Sequence, residues 1–131
     1  MVKRTIWAVV AVFFAWSILD FILHDLLLRS IYEATANMWR PMNQMNMPLI
    51  YFVTFVFTTC FVLIYSLLVG QKSLISGIRF GALFGLATGI SMGFGSYAIM
   101  PIPLTLAFSW FLGSWLEAIV AGAIAGAIIK S

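Results

Sequence analysis

The chain has 131 residues, of which 63% are hydrophobic and 8% charged, and its formal net charge is +3. A soluble domain of this length needs far more charge on its surface, so the composition excludes one and indicates an integral membrane protein. A small positive charge without a basic run leaves nothing for nucleic acid to bind, and one cysteine, Cys60, rules out an intrachain disulfide.

The chain opens MVKRTIWAVVAVFFAW, basic and then apolar, as a secretory leader does. The apolar stretch is too long for one, and no A-x-A site precedes a polar segment, so it reads as a retained first span. A hydrocarbon core about 30 Å thick needs roughly 20 helical residues. Four segments meet that length, at about 6–28, 48–70, 77–100 and 104–129. Pro48 suits the first turn of the second, and Pro101 and Pro103 break the third from the fourth. Residues 29–47 form the one long connection, and their first part can prolong the first helix. The expected fold is all-α: a single domain over 1–131, built as a four-helix integral membrane bundle. Lys3, Arg4, Lys72, Arg79 and Lys130 fall on one side and Arg29 and Arg40 on the other. That bias predicts cytoplasmic termini in a bacterial inner membrane, with 29–47 outside.

The third span carries glycines at 77, 81, 85, 89 and 93, and the fourth repeats small residues at Ser114, Ala118, Gly122 and Gly126. Small residues every fourth position let helix backbones approach closely. The ladder predicts packing of the third span on the fourth, or an interface for a second copy or a larger membrane complex.

Ionisable residues inside a span are functional hypotheses by default. Asp20 and His24 share a face of the first helix, with Ser17 close by. Asp25, Arg29 and Glu33 follow at i,i+4 spacing as an expected interfacial ion-pair chain. At 1.5 Å per residue, Asp20 lies roughly 9 Å below the outer face. The same count puts Thr54, Ser91, Ser109 and Trp110 near that level. Tyr51, Thr54, Thr58 and Tyr65 form a polar stripe on the second helix. The expectation is a polar chamber with Asp20 and His24 on one wall and Tyr51, Thr54 and Thr58 on another. Glu117 counts about 11 Å deeper than Asp20, out of its reach, with Thr58 and Thr88 as stepping stones. Asp20, His24, Tyr51, Thr54, Thr58, Ser91 and Glu117 are thus the candidate ion-binding residues.

The outer connection holds Met38, Met42, Met45 and Met47, soft thioethers suited to Cu(I) or to apolar interfacial filling. The sequence has no H-E-x-x-H, P-loop, G-x-S-x-G or C-x-x-C pattern, and no serine or cysteine with an assembled base. The expectation is a non-enzymatic protein with the lipid bilayer as its surroundings and no identified cofactor. Three functions follow: an accessory subunit or homo-oligomer through the glycine ladder, a small proton- or cation-linked transporter or channel using Asp20 and His24, or copper handling by the methionine loop.

The His24-Asp25 pair, Tyr32, Trp39-Arg40, the G-x-x-x-G run and the ending AGAIAGAII together resemble small bacterial four-helix inner-membrane families of unknown function. The resemblance implies the fold and carries no activity. The size and the acid in the first helix also look like small multidrug-resistance transporters, which are usually shorter and have Glu there; the likeness is architectural.

Overall fold

A computed structural model describes all 131 residues. The chain is helical throughout, without strands. Helix α1, Val2–Asp20, runs directly into a π-helical segment, Phe21–Leu27. After a bend at Leu28 the chain continues as α2, Arg29–Ala34, which is the predicted prolongation of the first helix. Two 3₁₀ turns, Ala36–Met38 and Met42–Gln44, lead to α3, Met47–Leu68. Helix α4, Leu74–Ile90, passes through a π-helical segment, Ser91–Gly95, into α5, Ser96–Ile99. Helix α6, Leu104–Ile128, completes the chain. Four helical stretches are long and apolar enough to cross a membrane: Val2–Leu27, Met47–Leu68, Leu74–Ile99 and Leu104–Ile128.

Local chemistry sets the helix starts. The Asn46 side chain accepts a hydrogen bond from the Leu49 backbone N–H at 3.1 Å, and Pro48 occupies the first turn of α3. The Ser73 hydroxyl caps α4 by accepting from the Ser76 N–H, also at 3.1 Å. Ser131 N donates to the Lys72 carbonyl at 3.0 Å, which ties the C-terminus to the α3–α4 connection. Both termini and that connection therefore share one end of the bundle, called here the terminal end. The opposite end, with α2 and residues 35–46, is the loop end.

The most extensive helix contact is between α4 and α6. Gly77, Gly81, Gly85, Gly89 and Gly93 are all buried. A Cβ at Gly89 would stand 2.9 Å from the Phe111 carbonyl oxygen, and one at Gly93 would stand 2.5 Å from that of Ala107. Gly77 faces Gly122 and Gly126, and Gly81 faces Ala118. The small-residue face of α4 is occupied by α6 of the same chain.

A core at the terminal end joins the helices. Ala8, Val12 and Trp16 of α1 meet Phe61, Val62 and Tyr65 of α3 and Ala118, Ala121 and Ala125 of α6, together with Ile129. Phe61 lies with its ring centroid 4.8 Å from Phe80 and 5.1 Å from Phe84, so α3 reaches α4 through aromatic contacts. At the loop end α3 stands apart, and from Met47 to Val56 every residue except Thr54 is exposed.

Candidate functional site

Two of the predicted residues lie where the first helix changes its winding. Asp20 ends α1 and His24 sits in the π-helical segment. The insertion of an extra residue per turn, as in π-helical geometry, shifts the faces of the residues beyond it and recurs at functional sites. His24 Nε2 is 3.8 Å from Asp20 Oδ1. On the other side of the ring, Nδ1 is 2.7 Å from the Tyr32 hydroxyl. That hydroxyl also accepts a hydrogen bond from Trp110 Nε1 at 2.7 Å. Tyr32 belongs to α2 and Trp110 to α6, so this bond links residues 78 positions apart.

Trp39 completes an aromatic cap at the loop end. Its ring stands edge-on to Tyr32 at 5.7 Å and meets Trp110 at 6.0 Å. Its Nε1 donates to the Thr35 hydroxyl at 2.8 Å, and that hydroxyl donates to the Ile31 carbonyl at 2.8 Å. Leu28, Ile102, Leu106, Ala107 and Trp110 form the small apolar core beneath the cap. Burial pushes the Tyr32 phenol up to about 12, against the opposing effect of the Trp110 hydrogen bond, and the nearby Asp20 and Asp25 carboxylates push the same way. Tyr32 therefore keeps its proton throughout the physiological range.

The structure brings Glu117 to Asp20, contrary to the depth count. The two carboxyl groups are neighbours across the α1–α6 contact. The register explains the correction. A Cβ on Gly113 would collide with Leu23, so these two residues are level. Four residues further along α6 and an equal distance back along antiparallel α1 lead to Glu117 and to Leu19–Asp20. The count assumed that every span begins at one plane. In fact α2 prolongs the first helix alongside the start of α6, so α6 begins higher than the end of the first span. Glu117 is 4% exposed, and its Oε1 has no hydrogen-bond partner. Ser17 Oγ, one turn before Asp20, is also buried without a partner. A narrow groove of about 90 Å³ lies beside Glu117, lined mainly by Leu19, Ile22, Leu23, Leu27 and Leu116.

The rest of the expected chamber does not assemble. Tyr51 is 52% exposed, and Ser91 is exposed at the far side of α4 from its glycine face. Thr54 donates to the Ile50 carbonyl and Thr58 to the Thr54 carbonyl, so both hydroxyls are satisfied by their own helix. Tyr65 lies at the terminal end, where its hydroxyl donates to the Ser73 and Ile129 carbonyls at 3.1 and 3.3 Å. Thr88 bonds Phe84 O and Ser109 bonds Thr105 O in the same self-contained way. A polar stripe on a membrane helix can be satisfied by the carbonyls one turn back, and α3 uses that solution.

Of the expected charge chain, Arg29 pairs with Glu33 at 3.3 Å, while Asp25 makes no ion pair. The π-helical winding and the bend at Leu28 separate Asp25 from Arg29, so the α-helical i,i+4 rule fails between them. The four methionines have unlike surroundings. Met38 packs on the core under the cap, Met45 is half-buried, and Met42 and Met47 are exposed. No three His, Cys, Asp or Glu side chains converge as a metal-binding group.

Tyr32 and Trp110 are the site residues that sequence reasoning missed. Trp110 counts to the depth of Asp20, and Tyr32 lies eight residues beyond His24, but only the bend at Leu28 turns the phenol back over the imidazole. Comparison with family models, curated proteins and solved structures finds no match to this chain.

Proposed function

We propose that this protein is a small, non-enzymatic inner-membrane transporter or channel that binds a proton or a monovalent cation at Asp20, His24 and Glu117. In this reading both termini are cytoplasmic and the aromatic cap faces outward, as the Lys and Arg bias indicates. One observation carries the proposal: in an otherwise apolar bundle the Asp20 carboxyl has Glu117 of α6 beside it and the only histidine, His24, 3.8 Å away on its own helix. Two adjacent carboxylates in a low-dielectric interior repel strongly, and a proton or small cation supplies the missing charge. The unpartnered Ser17 Oγ and Glu117 Oε1 leave hydrogen-bonding capacity for it or for its water. Oligomerisation through the glycine ladder has less support, because α6 covers that face.

The test is flux in liposomes loaded with a pH-sensitive dye and energised with a potassium diffusion potential, repeated with Na⁺- and K⁺-sensitive dyes. The native protein should conduct at least one of these ions. Asp20→Asn should reduce that flux to the level of empty liposomes while keeping its helical circular dichroism and unfolding temperature. Absence of flux with the native protein, or full flux with Asp20→Asn, overturns the proposal.

A further inference from the structure

We propose that Tyr32 and Trp110 are positioning residues that hold neutral His24 as its Nε2–H tautomer, so that its proton faces Asp20 and not the cap. The inference rests on the reading of Asp20 and His24 as a proton- or cation-binding pair, and it adds the direction in which the imidazole N–H points.

The direction follows from counting donors and acceptors along the chain of contacts. An indole N–H can only donate. The Trp110 proton therefore goes to the Tyr32 oxygen over 2.7 Å. The phenol has one proton of its own, and its other polar neighbour is His24 Nδ1 at 2.7 Å. If Nδ1 carried a proton, it would have to donate to the same phenol oxygen. The phenolic proton would then have no acceptor within the cap, whereas Nδ1 as acceptor gives it one at 2.7 Å. With Nδ1 as acceptor the cap is satisfied: Trp110 donates to Tyr32, Tyr32 donates to His24, and Nε2–H remains outside it. That proton points to the Asp20 side, where Oδ1 stands 3.8 Å away.

The groups facing the imidazole are Asp20 and Asp25 from its own helix and Tyr32 from α2, with Glu117 from α6 behind Asp20. The high affinity of Tyr32 for its proton keeps it a donor at every physiological pH. Protonation of Nδ1 therefore requires the phenolic O–H to turn away from the ring. The ring's one lone pair is held by the cap, and the neutral imidazole presents a fixed N–H donor to the Asp20 side.

His24 is the only histidine, so selective ¹⁵N-histidine labelling reports on one residue. In lipid nanodiscs at a pH where His24 is neutral, the native protein should show a protonated Nε2 and an Nδ1 shifted as a hydrogen-bond acceptor. Tyr32→Phe should abolish that hydrogen-bonded Nδ1 signature and let an Nδ1–H form appear. Trp110→Phe, which leaves the phenol but frees its oxygen, should also raise the Nδ1–H fraction. A native Nδ1–H tautomer overturns the inference, as does an imidazole spectrum unchanged in both variants. If Tyr32→Phe fails to fold, Trp110→Phe decides alone. The readout does not depend on flux. A fixed tautomer in a protein without flux removes the proposed function and leaves the positioning role, and flux with a free tautomer does the reverse.

Discussion

The two halves of the bundle are packed in different ways. At the terminal end, helices close on one another through glycine, alanine and interlocking aromatic rings, and Tyr65 bonds two backbone carbonyls. At the loop end α3 stands away from its neighbours, both π-helical segments occur, and carboxyl and hydroxyl oxygens remain without partners. Apolar burial against lipid-like neighbours gives helices little reason to associate, so tight contact comes from packing. The well-packed half therefore supplies stability, and the loosely packed half has the freedom that the proposed function requires.

The packed half is most sensitive at the glycine face. Gly81→Leu should destabilise the bundle by about 3 kcal/mol or more, since its side chain meets the Ala118 backbone and the helices must separate. Unfolding titrations in mixed micelles would show it, and a variant of native stability would deny that this half carries the fold. Phe61→Ala comes next. It empties a fully buried site between Trp16, Phe80 and Phe84 and should cost about 2 kcal/mol, at about 24 cal/mol per Å³ of cavity, by the same titration.

The loop-end half should respond to pH through Tyr32. Its folded value, about 12, exceeds the ordinary 10.0, so the protonated phenol favours the folded cap. That contribution is complete below about pH 10 and is lost as pH rises from about 10 to 12. A phenolate absorbance titration of native protein against Tyr32→Phe should therefore assign a late-ionising tyrosine to this position. The smallest effect is expected at Arg29→Ala, which removes an exposed pair with Glu33 and should change stability by less than about 0.5 kcal/mol in a thermal melt. A large loss there would mean that surface charge, not packing, holds α2 in place.

Much of the well-packed half was legible in the sequence. Apolar length located the four spans to within a few residues, and the four-residue period of Gly77 to Gly93 foretold a close helix contact, because both properties belong to single helices. The site was legible only in part. Asp20 and His24 stood out as ionisable groups in an apolar run, but Ser91, given the same depth by counting, and Tyr51, on the expected polar stripe, point elsewhere. Depth alone does not say which way a side chain faces once a helix stands away from its neighbours.

By itself, then, the sequence determined the helical class, the spans, the small-residue face of α4 and the isolated acid–imidazole pair. Composition and periodicity are local quantities, and a membrane-length helix expresses them directly. Only the tertiary structure decided that α6 covers the glycine ladder, that Glu117 joins Asp20, and that Tyr32 and Trp110 close over His24. Those facts depend on the axial register of antiparallel helices and on one bend at Leu28, and a shift of a single turn, about 5.4 Å, would part Glu117 from Asp20 and Trp110 from Tyr32.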